Sequence, residues 1–179
     1  MHIQQIHHVA YRCNDAKETI DWYRDKLDMK YLFAVSESKV PSTKEATPYM
    51  HLFLDAGNGN ILAFFELPES PAMTFDPNTP QWVQHLAFQV KDEDTLKVAK
   101  SELEAKGVEV LGPTDHGFVR SIYFFDPNGH RLELCAPVAT PEMMEKLVSV
   151  SEQMLVDWTK SKKALPHAAW VHEAELAKH

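Results

Sequence analysis

An internal repeat constrains this chain more than any other feature. HHVAYRCNDAKETIDWYRDKLDMKYL and QHLAFQVKDEDTLKVAKSELEAKGVEVL each start with a histidine on an alternating strand. Each then passes an Asp-containing turn, runs through a helix and returns to apolar alternation. In the first helix Ile20, Tyr23 and Leu27 share a face; in the second Leu96, Ala99 and Leu103 do, at the spacings of three and four that a helix requires. The continuations also match. LFLDAGNGNILAFFELP and IYFFDPNGHRLELCAP both read as strand, turn, strand, the second with the strong turn signal Asp126-Pro127-Asn128-Gly129. Each half therefore predicts strand, helix, strand, strand, strand. The break falls in the proline-dense linker PESPAMTFDPNTP. This sets a first βαβββ module over 1–68, a linker over 69–82, a second module over 83–138 and a C-terminal helical extension over 139–179.

A βαβββ unit covers one sheet face with its helix and leaves the other to curl or to pair. Side chains alternate between faces along a strand. In QHLAFQV, Leu86, Phe88 and Val90 form a wholly apolar face suited to the helix, while His85, Ala87 and Gln89 form a small, polar face suited to a cavity. By the same logic His7 joins Val9 and Tyr11 on the helix side of the first strand, and His8 joins Ala10 and Arg12 on the cavity side. His8 is thus the histidine placed for chemistry, and His7 the one placed for packing.

His8 and His85 hold corresponding positions in the two repeats, as do Glu66 and Glu133 on the last strand of each. A pseudo-twofold axis would let the two imidazoles converge. Two neutral imidazoles with one or two carboxylates suit a divalent first-row metal: iron(II), manganese, nickel or zinc. A carboxylate in an apolar strand such as RLELC is costly unless paired or coordinated. The match is closer for Glu133 than for Glu66. Glu66 lies seven residues after Gly59 and Glu133 four after Gly129, and an odd difference in register reverses the face.

Composition narrows the class of partner. The chain carries 18 basic and 26 acidic residues, a net charge of −8, and no basic face, which argues against nucleic acid. No apolar run approaches the ~18 residues of a membrane span, and the N-terminus has no signal-peptide pattern. Two cysteines, Cys13 and Cys135, make no disulfide framework, so a reducing cytoplasmic setting is expected.

Through IHHVAYRC, TIDWYRDKLDM, QHLAFQV and FFDPNGHRLEL, over about residues 4 to 138, the chain resembles the vicinal oxygen chelate superfamily of glyoxalase I, extradiol dioxygenases, methylmalonyl-CoA epimerase and fosfomycin-resistance proteins. The resemblance implies an α+β fold of two paired βαβββ modules forming an open barrel around a metal. It implies His8, His85 and Glu133 as ligands, with Glu66 as the additional ligand of glyoxalase-like members. The run TDHGFVRSIYFFDPNGHRLE is similar to the extradiol dioxygenase signature. That similarity implies that His116 and Tyr123 flank a catechol-like aromatic substrate, with Tyr123 bonding a catecholate oxygen, and that iron(II) is the metal. Extradiol members also carry an acid/base histidine on the last strand of the first module. The stretch DAGNGNILAFFELP supplies Asn58 and Asn60 but no histidine; His51 lies on the strand before.

The leading expectation is therefore ring-cleaving oxygenation of a catechol-like small molecule. The alternatives are a glyoxalase-like lyase or an epimerase acting through a metal-stabilised enediolate, which Glu66 as a fourth ligand would favour, and a non-catalytic binding protein. Homodimerisation is common for such modules. Beyond the repeats, Thr140 and Pro141 mark a helix start, and Met144, Leu147, Met154 and Trp158 an apolar stripe that packs over the barrel or across a subunit boundary. His167 and His172, in the ending HAAWVHEAELAKH, form no recognisable site.

Overall fold

The computed structural model describes residues 2–172. The repeat appears as two successive β-α-β-β-β runs: β1 Val9–Cys13, α1 Ala16–Leu27, β2 Lys30–Glu37, β3 Tyr49–Asp55 and β4 Ile61–Glu66, then β5 Leu86–Gln89, α2 Glu93–Ala105, β6 Leu111–Asp115, β7 Val119–Phe125 and β8 Arg131–Pro137. A long helix, α3 Pro141–Ser161, and a 3-10 helix over Pro166–His172 follow. The strands form two four-stranded sheets of identical topology, β1-β4-β3-β2 and β5-β8-β7-β6. Among the described residues no helix is long and apolar enough to cross a membrane.

Local chemistry explains the helix boundaries. Asp15 caps α1 by accepting from the Glu18 backbone N–H at 2.7 Å, and Asp92 caps α2 by accepting from Thr95 at 2.9 Å. Asp28, in the left-handed region at φ 53°, ends α1. Thr140 accepts from the Met143 N–H at 3.2 Å, with Pro141 opening α3.

The described residues divide into two compact units, 2–86 with 125–132, and 87–124 with 133–172. In the first unit β1 runs parallel to β4, and β3 runs antiparallel to β4 and to β2. Tyr23 of α1 packs on Phe64 of β4 with ring centroids 5.2 Å apart, and both are wholly buried with Leu54, Leu62 and Cys13. In the second unit the buried set includes Leu96 and Leu103 of α2 and Ile122 and Phe124 of β7.

The turn between β7 and β8 belongs to the first unit and forms a buried polar plug there. The Asp126 carboxylate accepts from the Tyr23 hydroxyl and Asn128 Nδ2, both at 3.1 Å, and from the Asn128 and His130 backbone N–H groups at 2.9 and 2.8 Å. Asn128 Oδ1 accepts from the Asn14 N–H at 2.8 Å, and its Nδ2 also donates to Thr19 Oγ1 at 3.1 Å. His130 Nε2 donates to the Arg12 carbonyl at 2.7 Å. Burial, then the neighbouring Asp126 charge, hold the Tyr23 hydroxyl well above its ordinary pKa, so it remains a donor at neutral pH. Gly129 completes the turn at φ 87°, and a Cβ there would lie 3.0 Å from the Phe75 ring.

Removing Asn128 leaves buried partners in this plug unsatisfied. Asn128→Ala should lower the unfolding free energy by about 2–3 kcal/mol, whereas Asn60→Ala, in an exposed turn, should change it by less than about 0.5 kcal/mol. Urea unfolding followed by circular dichroism measures both, and equal midpoints for the two variants would show that the plug carries no stability.

Candidate active site

The register of β1 on β4 fixes the faces of the first sheet. Val9, Tyr11 and Cys13 lie opposite Leu62, Phe64 and Glu66; Ala10 and Arg12 lie opposite Ala63 and Phe65. Because Phe64 meets Tyr23 of α1, the first set faces the helix and the second the helix-free side. His8 immediately precedes β1 and reaches that helix-free side, with its ring 6.0 Å from His51 and 6.1 Å from Phe53. His7 and His8 are hydrogen-bonded through their Nδ1 atoms at 2.9 Å, and both are exposed.

The same face carries an aromatic cluster. His51 stacks on Phe65 at 3.7 Å and 18° and lies 4.1 Å from Phe53, which in turn stacks on Phe33 at 4.5 Å. The His51 Nε2 and the Arg12 Nε are buried with no hydrogen-bond partner. Burial, and secondarily the His8 charge, lower the His51 pKa. In YMHLFLD, alternation places His51 and Phe53 opposite the buried Leu52 and Leu54, so the sequence holds the signal for this face.

Glu66 takes a different place from the expected one. It shares the helix face with Phe64, and its carboxylate accepts from the Ala16 backbone N–H at 2.7 Å, at the start of α1. The odd register offset between the repeats is the physical reason: Glu133 corresponds in face to Phe65, not to Glu66. The carboxylate serves the N–H groups of the first turn and the positive end of the helix dipole.

His85 lines a cavity of about 340 Å³ in the first unit with Tyr11, Phe75, Gln84, His130 and Arg131. His85 Nδ1 donates to the Val83 carbonyl at 3.1 Å, which fixes the tautomer whose Nε2 carries the lone pair, the usual preparation of an imidazole for a metal.

The other expected residues lie in the second unit. Glu133 is 5% exposed between Leu132 and Leu134, and the Ser121 hydroxyl, wholly buried, donates to its Oε1. That bond puts Ser121 and Glu133 on one face, and alternation along β7 puts Tyr123 there too. The Tyr123 hydroxyl and His116 Nε2 are hydrogen-bonded at 2.7 Å. Ser121 is the residue that pattern reading missed; its trace is a small polar side chain next to Ile122 in VRSIYFF. His167, by contrast, is paired with the Asp157 carboxylate at 3.0 Å. Burial pushes the Cys13 thiol up to about 11, so it stays protonated and unreactive at neutral pH.

Among the described residues no three His, Cys, Asp or Glu side chains form a group that could hold a metal ion. The donor chemistry of His8, His85 and Glu133 nonetheless suits one. In His8 and His85 each Nδ1 is engaged, and the Glu133 carboxylate is desolvated in an apolar strand; each is, taken singly, a donor type that divalent first-row cations accept.

Comparison with known proteins places these features in a class. A family model described as the Glyoxalase/Bleomycin resistance protein/Dioxygenase superfamily matches residues 5–134. The chain is 32% identical over 131 residues to the metallothiol transferase FosB of Bacillus licheniformis, covering 72% of this chain and 73% of that one. It is 27% identical over 139 residues to biphenyl-2,3-diol 1,2-dioxygenase 3 of Rhodococcus globerulus, covering 77% and 66%. The crystal structure of a glyoxalase family protein from Enterococcus faecalis superposes with a TM-score of 0.56 at 27% identity, covering 75% of this chain and 99% of the other. The protein belongs to the glyoxalase/bleomycin resistance/dioxygenase superfamily.

The two glutamates separate experimentally. Glu66→Ala should lower the melting temperature, through a loss of about 1 kcal/mol at the α1 terminus, and leave metal content after iron(II) or manganese(II) loading unchanged. Glu133→Ala should abolish metal retention. Loss of metal from the Glu66 variant, measured by elemental analysis of the folded protein, would return Glu66 to the ligand set.

Proposed function

We propose that this protein is a metal-dependent oxygenase that cleaves the ring of a catechol-like aromatic small molecule, with His8, His85 and Glu133 holding a divalent ion, iron(II) by preference. The observation that carries this reading is the hydrogen-bonded His116–Tyr123 pair on the face of the second sheet that bears Glu133. When bound, the ion would act as a Lewis acid toward two vicinal oxygens of the substrate, and a two-histidine, one-carboxylate set leaves positions open for them.

This chain's own groups do the rest. Tyr123 Oη, oriented by His116, bonds a phenolate oxygen and steadies the charge that develops on it. On the first sheet, Phe33, Phe53, Phe65 and His51 form an aromatic face of the kind that packs against a flat ring. Ser121 holds the Glu133 carboxylate in one rotamer. Both atoms of dioxygen enter the opened product, so no external reductant is consumed. The two free cysteines fit a reducing, cytoplasmic setting.

A second reading, transfer of a thiol to a small electrophile, is supported by the 32% and 33% identities to two metallothiol transferases. The lyase or epimerase alternative draws on Glu66 as a fourth ligand, and the bond from the Ala16 N–H to the Glu66 carboxylate favours the three-ligand reading over it.

Protein loaded anaerobically with iron(II) and mixed with a series of catechols and oxygen should consume equal amounts of oxygen and catechol and form a yellow ring-opened product. Tyr123→Phe should lower kcat by about 100-fold with metal content intact. Turnover that needs a thiol and ignores oxygen would establish the transferase reading instead. Tight ligand binding by metal-free protein with no turnover would establish a binding module.

A further inference from the structure

The C-terminal 3-10 helix packs on the loop that carries His116. Gly117, the next residue, has φ 79°, and a Cβ there would overlap the Val171 side chain and lie 2.6 Å from the Val171 carbonyl oxygen. Val171 is 9% exposed, so little of it is left to solvent. Glycine is needed here on two counts, the left-handed backbone and the close approach of Val171. The loop is also held by the strands around it. The His116 N–H donates to the Val119 carbonyl at 3.0 Å and the Gly117 N–H to Asp115 Oδ1 at 2.7 Å. The Phe118 carbonyl accepts from the Val138 and Ala139 N–H groups, both at 3.1 Å.

The 3-10 helix is itself tied to α3. Asp157 pairs with His167 at 3.0 Å and accepts from Gln153 Nε2 at 2.9 Å. Trp170 Nε1 donates to the His167 carbonyl at 3.1 Å, and Lys146 Nζ lies 4.0 Å from the Trp170 ring centroid. Helix α3 begins at Pro141, just beyond Ala139. A closed circuit results: from the loop to the start of α3, along α3 to the 3-10 helix, and back to the loop at Gly117. Every member of it lies in the second unit.

We propose that Val171 is a positioning residue for the candidate site: by seating on Gly117 it holds the His116 imidazole against the Tyr123 hydroxyl. The proposal rests on the reading of Tyr123 as the group that meets the substrate. Glycine has more backbone freedom than any other residue, and a loop side chain next to one keeps its place only where something packs on the loop. His116 Nε2 and the Tyr123 hydroxyl are 2.7 Å apart, and a misplacement of about 1 Å in a catalytic arrangement can cost on the order of 100-fold in rate. The family model ends at residue 134, so this support comes from the extension that follows the matched region.

Val171→Ser in the full chain tests this, since it removes the branched methyls without adding a charge. With histidine isotopically labelled and no metal or substrate present, the His116 ring signals in nuclear magnetic resonance, identified by their loss in His116→Gln, should shift in Val171→Ser. They should stay in place in Val171→Thr, which keeps the branched shape. Trp170→Ala, which releases the 3-10 helix from Lys146, should shift them as well, and it carries the test if Val171→Ser loses its fold. His116 signals unmoved in both Val171→Ser and Trp170→Ala would overturn the proposal. With iron(II) and a catechol, Val171→Ser should lower kcat by about 10-fold and leave KM and metal content unchanged. In a Tyr123→Phe background the same substitution should cost less than about twofold, because the hydroxyl to be positioned is gone. An equal loss in both backgrounds would mark a general structural effect and overturn the positioning role. If the wild type cleaves no catechol, the oxygenase reading fails, and the ring signals still decide whether Val171 holds His116.

Discussion

A buried carboxylate organises the first unit. Asp126 sits in a turn of the second repeat, yet its oxygens accept from Tyr23 of α1, from its own turn and from Asn128, which bonds in turn to Asn14 and Thr19. Three of its four donors come from its own turn, and the fourth, the Tyr23 hydroxyl, comes from α1. An unpaired charge in that place would cost several kcal/mol, and the network offsets it with four hydrogen bonds. The chain leaves the same turn into β8, two residues before Glu133. The interaction that stabilises the fold therefore also fixes where the strand bearing the candidate carboxylate begins.

The carboxylates of the two repeats show how one sequence pattern serves two purposes. Glu133 and Glu66 both lie on the last strand of their repeat and both precede a leucine. Glu133 faces the side of Ser121 and Tyr123, desolvated and held by a hydroxyl. Glu66 faces the helix and satisfies an N–H of its first turn. The two glutamates take opposite faces because their registers differ by an odd number of residues, which moves a side chain to the other face of a strand.

Much of the fold was legible because alternation and helical spacing were unbroken: the element order and the start of α3 at Thr140 and Pro141 follow from period and polarity. His8 and His85 lie just ahead of β1 and β5, and His7, expected to pack, is exposed. Other features were not legible for physical reasons. Ser121 carries no periodic signal, since a single buried hydroxyl is defined by its partner 12 residues away and not by its neighbours. The polar plug was read only as a turn, because Asp-Pro-Asn-Gly announces its own geometry and says nothing about what its side chains will meet. His51 was visible as a strand histidine, but its stacking on Phe65 depends on the pairing of β3 with β4.

The central claim is that His8, His85 and Glu133 share one metal ion. A crystal of the protein grown with manganese(II), with anomalous scattering recorded at the metal edge, tests it directly. The account predicts one strong peak per chain within about 2.0–2.3 Å of a nitrogen of His8, a nitrogen of His85 and an oxygen of Glu133, with Glu66 remaining at the start of α1. A peak bound elsewhere, or ordered side chains at all three positions with no ion between them, would contradict it.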